Sequence, residues 1–154
     1  MSTISSSRTL HRLIYMSRIT IPPIDLQAEV GEIIRTSIRR NREVAVTGLL
    51  LVHDGWFLQA LEGPAEAVLT TYGRICDDPR HVDAKVLGAG PADARSFADW
   101  NMCARRVTAA DDAILDTLEM RSKFEPQRLA PGSALRLLQA VRGIQERTQL
   151  RAMR

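Results

Sequence analysis

Two polar side chains interrupt otherwise apolar stretches of this chain, and both can donate and accept hydrogen bonds. Tyr15 stands within Leu-Ile-Tyr-Met-Ser, and Gln59 stands within Phe-Leu-Gln-Ala-Leu. An unpaired buried amide costs roughly 1–3 kcal/mol, so Gln59 must reach the sheet edge or bond a buried partner. A polar stretch with Ser37, Arg40 and Asn41 ends a helical pattern nearby. These residue types predict polar groups that converge on a buried polar ligand.

The residues that enzymes commonly use are not arranged for catalysis. The three histidines, His11, His53 and His81, do not stand at metal-ligand spacing. The sequence contains no Gly-x-Ser-x-Gly elbow and no glycine-rich phosphate loop. Cys76 and Cys103 have no evident base and fit no disulfide or metal motif. We therefore predict no metal site and no enzyme activity, and we expect both cysteines to be reduced and semi-buried.

Strand and helix patterns alternate along the chain and must position these groups. Pro22 and Pro23 break the chain before a helix at 25–41 with Asp25 as its N-cap. Asp54-Gly55 predicts a hairpin turn. Pro64 is expected to be the first residue of a second helix, which the stretch 77–80 ends. The predicted strands are 12–17, 46–53, 56–62, 84–87 and 100–107.

The order β-α-β-β-α-β with one extra strand predicts an α+β, ferredoxin-like sheet with two helices on one face. Small acylphosphatases share this order, so the fold alone also permits a hydrolase. Two further helices are predicted near 110–122 and 133–152. A narrow apolar stripe marks the second of them, and we expect it to cover the opposite face of the sheet. The stripe consists of Leu135, Leu138, Val141 and Ile144.

Length and composition indicate one domain with an appendage. The chain has 154 residues, 45% of them hydrophobic, and a formal net charge of +3. That charge is too small to indicate nucleic-acid binding, and no apolar run is long enough to span a membrane. The serine-rich residues 1–10 lack an apolar signal core, so we expect a flexible terminus on a cytoplasmic protein.

Five motifs, which occur in order between about residues 10 and 107, resemble the BLUF family of blue-light sensors. They are L-I-Y-M-S-R (13–18), R-R-N-R-E-V-A-V-T-G-L-L (39–50), W-F-L-Q-A-L-E-G (56–63), R-I-C-D-D-P-R-H (74–81) and F-A-D-W-N-M (97–102). T-G-L-L followed by F-L-Q-x-L-E-G is the most specific combination. One departure is Arg95, which lies one place before the position where the family commonly has arginine.

The resemblance implies that a flavin binds between the two helices. The family usually holds FAD, and FMN or riboflavin are alternatives. Ile33 and Ile75 match the apolar residues that flank the ring, and Asn41 matches the amide that bonds the ring edge. Ser37, which lies in the same polar stretch one helical turn before Asn41, is also expected to contact the flavin. The positions that match the rim of the site, where the ribityl chain and phosphates emerge, are Arg40, Arg74, Asp78, Arg80 and His81.

The resemblance also assigns the photochemistry to Tyr15 and Gln59. Tyrosine would give the excited flavin an electron and then a proton, which Gln59 relays. The amide would be left rotated or tautomerised, and its altered hydrogen bond would shift the flavin absorption to the red. Trp100 and Met102 share one face of a strand and would read out that change.

We therefore expect three parts: a flexible N-terminal segment at 1–10, a photosensor domain at 11–107 and a two-helix extension at 108–154. We expect the domain to signal to an unidentified protein partner and to form a homo-oligomer, without binding nucleic acid or membrane. A small ferredoxin-like hydrolase and a light-insensitive flavin-binding protein remain alternatives.

Overall fold

A computed structural model describes residues 9–98, 130 and 132–140, and the backbone of 103–106. Five strands form one sheet in the order β4-β1-β3-β2-β5. Neighbouring strands are antiparallel, apart from the parallel pair β2–β5. The predicted ferredoxin-like α+β fold is confirmed. The strands are β1 (Leu10–Ile19), β2 (Thr47–His53), β3 (Trp56–Pro64), β4 (His81–Pro91) and β5 (Cys103–Arg106).

Two helices, α1 (Leu26–Glu43) and α2 (Ala65–Cys76), connect these strands. Asp25 occupies the predicted N-cap position of α1, but its side chain makes no capping hydrogen bond. Pro64 is the N-cap residue of α2 and the last residue of β3, so its predicted place inside the helix is wrong by one residue. Its extended backbone, with ψ of 138°, still belongs to the strand.

Two glycines are required by the path of the sheet. Gly55 follows Asp54 in the β2–β3 hairpin, and both have positive φ, 82° and 50° respectively. This geometry matches the predicted two-residue turn. Gly48 passes so close to β3 that an added Cβ would lie 1.9 Å from the carbonyl oxygen of Ala60. Any side chain at position 48 would therefore push β2 and β3 apart.

The sheet has a buried core on each face. The helix-side core contains Leu13, Val30, Leu50, Leu61 and Val68, under α1 and α2. The tail-side core contains alternate residues of the same strands, which point the other way. Its members are Ile14, Met16, Leu49, Leu51, Leu58, Ala60, Phe97, Ala134, Leu137 and Leu138.

The helical segment 132–140, here α3, therefore lies on the face opposite α1 and α2, as predicted. Leu138 is fully buried, as expected, whereas Leu135 is only partly buried. Ala134 and Leu137 complete the buried stripe, which is rotated from the predicted one. Val141, Ile144 and the predicted helix at 110–122 lie outside the described residues.

Two further predictions need correction. β4 runs from His81 to Pro91 and is much longer than the predicted 84–87. It pairs with β1 on one side and forms an edge of the described sheet, so exposed and partly buried residues mix along it. Cys76 is exposed rather than semi-buried, because it lies in the last turn of α2.

Candidate functional site

A slot between α1 and α2 opens above β1 and β3. Two adjoining cavities form it, and Ile33 of α1 and Ile75 of α2 line both. Eleven of the thirteen residues singled out from the sequence line the slot. They are Tyr15, Ile33, Ser37, Arg40, Asn41, Gln59, Arg74, Ile75, Asp78, Arg80 and His81. The other two, Trp100 and Met102, lie outside the described residues.

Tyr15 and Gln59 are directly paired across β1 and β3. The Tyr15 hydroxyl donates a hydrogen bond to Oε1 of Gln59, and the two residues are only 2% and 4% exposed. Burial raises the pKa of Tyr15 well above its ordinary value, and the neighbouring Tyr72, Cys76 and Asp78 add to the shift. The phenol therefore keeps its proton and points it at the amide carbonyl.

Tyr72 extends this pair toward the surface. Its ring lies 5.2 Å from the Tyr15 ring, centroid to centroid, with the planes tilted by 52°. Burial and a side-chain hydrogen bond to Cys76 raise the pKa of Tyr72 to about 12. Two neutral phenols therefore lie in tilted contact beside the slot.

Asn41 brings a second amide to the slot from the last turn of α1. The residue is 3% exposed. Its backbone carbonyl accepts hydrogen bonds from the N–H groups of Val44 and Val46, at 3.2 and 2.9 Å. Ala45 between them has a φ of 59°, which ends the helix. The tight turn thus holds Asn41 at the helix terminus.

His81 lines the slot but is buried, with a relative exposure of 7%. One ring nitrogen, Nδ1, lies 2.6 Å from the Ser17 hydroxyl, and the other, Nε2, bonds the backbone carbonyl of Ile75. A carbonyl only accepts, so Nε2 carries the hydrogen, and in the neutral ring the Ser17 hydroxyl donates to Nδ1. The imidazole joins β1 to the end of α2 and holds Ile75 in position.

Arg80 spans the mouth of the slot. Its Nη2 lies 2.7 Å from Asp78 Oδ2, and its Nη1 lies 3.4 Å from Glu29 Oε2 on α1. Hydrogen bonds from Arg80 hold the pKa of Asp78 below its ordinary value, and the same bonds raise the pKa of Arg80. The guanidinium ties α1 to the loop after α2.

Arg40 and Arg74 line the slot from opposite helices and are both exposed. Within the described part of the chain, neither guanidinium is paired with a carboxylate. Their charges are available to an anionic group at the mouth.

Several lining residues escaped the sequence-based prediction. Thr36 and Thr71 lie one helical turn before Arg40 and Ile75, so helical spacing could have identified them. Leu50 and Phe57 lie on the Gln59 face, which strand alternation could have indicated. Ser17, which pairs with a residue 64 positions away, carries no such local signal.

Arg95, displaced by one place from the family pattern, does not reach the slot. It donates to Thr47 Oγ1 at 2.8 Å and to the backbone carbonyls of Glu62 and Ala45 at 3.1 and 2.8 Å. Its contacts fasten the segment before β5 to the start of β2.

Comparisons with known proteins agree on one family. The family model described as BLUF, sensors of blue-light using FAD, matches residues 10–103. The photoactivated adenylate cyclase subunit beta of Euglena longa is 37% identical over 110 residues, which cover 71% of this chain and 12% of that protein. The chain thus matches only a small part of that curated relative.

Solved structures resemble nearly the whole chain. The structure of the BlsA photo-activated state matches with a TM-score of 0.77 at 25% identity. The matched region covers 86% of this chain and 94% of the BlsA chain. BlrB, a BLUF protein in its dark state, has a TM-score of 0.70 at 29% identity, with coverage of 87% and 98%.

A membrane-spanning helix and a metal-binding cluster are both absent from the described residues. No helix there is both long and apolar enough to cross a membrane, and no group of three or more histidine, cysteine or acidic side chains is placed to hold a metal ion.

The match over 10–103 covers more than half of the sequence. By this match, supported by the similar sequences and folds, the chain belongs to the BLUF family of sensors of blue light using FAD.

Proposed function

We propose that this chain is a blue-light photoreceptor that binds a flavin in the slot between α1 and α2. The single observation that carries the proposal is the hydrogen bond from the Tyr15 hydroxyl to Gln59 Oε1 at the base of that slot. Two buried polar side chains there are bonded to each other on one side and line a cavity on the other. Such a pair is suited to a ligand with a polar edge.

The residues of the slot fit a flavin. Its ring system is flat and largely apolar, and Ile33 and Ile75 offer apolar walls from the two helices. One edge of the ring carries carbonyls and an imide, and Asn41 and Gln59 supply amide donors and acceptors. Phosphate groups at the mouth would meet Arg40 and Arg74, since arginine pairs well with phosphate. Asp78 and Arg80 would frame the ribityl chain.

Bound flavin supplies absorption of blue light and, in its excited state, a strong one-electron oxidant. Tyr15 is the residue placed to give up an electron, and its proton already points at Gln59 Oε1. Gln59 would take that proton at Oε1 and pass another from Nε2 to the excited flavin, and an electron and a proton would then return to Tyr15, so that Tyr15 and the flavin end in their starting redox states. Alternatively, its amide can rotate so that Nε2 replaces Oε1 opposite Tyr15. Either change alters the group that Gln59 presents to the slot, and we expect a small red shift of the flavin band.

The output is proposed to be a protein contact rather than catalysis. Trp100 and Met102 would read out the change at Gln59, and the tail would pass it to a partner protein. We extend the proposal to a cytoplasmic homo-oligomer that holds FAD rather than riboflavin, because Arg40 and Arg74 favour a flavin that carries phosphate.

A light-minus-dark absorption spectrum of the purified full chain tests this function. We expect a yellow protein whose flavin band moves to the red under blue light and returns in darkness. A colourless protein would contradict flavin binding, and a bound flavin whose spectrum light leaves unchanged would contradict light sensing. The colour alone separates this function from a cofactor-free hydrolase.

A further inference from the structure

The strands that carry Tyr15 and Gln59 hold a second cross-strand pair, Arg12 and Glu62, three positions away. Alternation along the strands places it on the opposite face, toward the tail-side core. Nε of Arg12 lies 2.7 Å from Glu62 Oε2, and the Glu62 side chain is fully buried. One strand pair therefore presents the slot with a tyrosine–glutamine bond and the other face with an ion pair.

Both oxygens of the Glu62 carboxylate bind the segment that leads toward β5. Oε2 accepts the backbone N–H of Ser96 at 2.9 Å, and Oε1 accepts that of Phe97 at 2.8 Å. Nη2 of Arg12 donates to the Ala94 carbonyl at 2.9 Å and to the Ser96 hydroxyl at 3.0 Å. The ion pair anchors 94–97 to the sheet through four hydrogen bonds besides its own.

The same segment contacts the tail helix α3. Nε2 of Gln139 donates to the Ser96 hydroxyl at 3.0 Å. Phe97, which is fully buried, belongs to the tail-side core together with Leu137 and Leu138. A continuous set of contacts thus runs from β3 through Glu62, Ser96 and Phe97 to α3.

We propose that Glu62 is a positioning residue that carries the light signal from β3 to the tail helix. This inference rests on the proposed photoreceptor function and supplies a route through described residues. Tyr15–Gln59 and Arg12–Glu62 join the same two strands, so a small displacement of β3 against β1 changes both pairs. Hydrogen bonds weaken steeply when their geometry is lost. A displacement that begins at Gln59 therefore changes how 94–97 and α3 dock.

Substitution of Ser96 tests the route without disturbing the buried charge. Hydrogen exchange of the backbone amides of 132–140 is measured on the full flavin-bound chain, in darkness and under blue light, for the wild type and Ser96→Ala. Ser133→Ala is the matched control, because it removes a hydroxyl that bonds Arg136 within the tail. We expect a light-to-dark ratio of exchange rates clearly different from one in the wild type and control. In Ser96→Ala, which removes the Gln139 contact but leaves the Phe97 contact with α3, the ratio should fall toward one while the red shift and the dark rate remain.

Glu62→Gln provides the second variant. It keeps the shape of the side chain and removes the charge, and the expected result is again a normal red shift with no light-dependent change in the tail. If Ser96→Ala keeps the full ratio, or if both of its rates rise with the ratio retained, Ser96 merely holds the tail and the inference is overturned. A wild-type tail with equal rates in light and dark overturns it as well. A wild type without any red shift refutes the photoreceptor function itself.

Discussion

Loss of either member of the Tyr15–Gln59 pair should abolish the red shift and lower the free energy of unfolding. Both residues are almost fully buried, so Gln59→Leu leaves a phenol hydroxyl without its acceptor and Tyr15→Phe leaves an amide oxygen without its donor. An unsatisfied buried group costs about 1–3 kcal/mol. The double variant removes both groups and should be less destabilised than the sum of the singles by about 1–2 kcal/mol.

The assay is urea unfolding of the four proteins in darkness at one saturating flavin concentration, because bound ligand adds to stability. Equal m-values are required for the comparison. The light-minus-dark spectrum of each protein is recorded in parallel, and only the wild type should shift. Effects that add within about 0.5 kcal/mol would show that the bond contributes nothing. A normal red shift in Gln59→Leu would refute its role in the photochemistry.

Two other predictions concern flavin affinity and pH. Asn41→Ala should weaken flavin binding by about 5- to 150-fold, which corresponds to the loss of 1–3 kcal/mol of hydrogen bonding. Fluorescence titration measures this affinity, with the exposed neighbour Arg42→Ala as control, and equal affinities would exclude Asn41 from the site. Because the folded-state pKa of Tyr15 is raised, its neutral phenol stabilises the fold below the ordinary value of 10.0, and this contribution is lost as the pH rises above it. The urea midpoint should therefore fall from about pH 10 upward. NMR of labelled tyrosine rings should show that Tyr15 ionises only on unfolding and that Tyr72 ionises with a pKa of about 12.

Local patterns were enough to predict most of the sheet and the convergence of the site. Asp54-Gly55 identified the hairpin because two positive φ values have few compatible residues. The convergence of Tyr15 and Gln59 on one site was implied by their apolar surroundings and by the family resemblance, whereas their direct pairing across β1 and β3 was not.

Contacts between distant residues account for what the sequence did not reveal. Glu62 precedes Gly63-Pro64, so the sequence indicates only a charged residue at the end of a strand. In the structure its carboxylate is buried against Arg12, which lies 50 positions away. His81 has the residue type expected at a polar rim, but its two ring nitrogens bond Ser17 and Ile75 inside the protein. The buried tail stripe differs from the predicted one because helical spacing admits Ala134, Leu137 and Leu138 as one face as readily as Leu135 and Leu138, and contact with the sheet decides between them.

The position of β1 within the sheet determines when this site can form during synthesis. Of the described strands β1 is made first, yet it lies between β3 and β4. Its backbone acquires both neighbours only after Pro91, the last residue of β4, has left the ribosome. Before β3 has been made, the apolar strand that carries Tyr15 has neither of its partner strands. The tyrosine-bearing strand has no partner close to it in sequence, so the sheet around Tyr15 is completed late in translation.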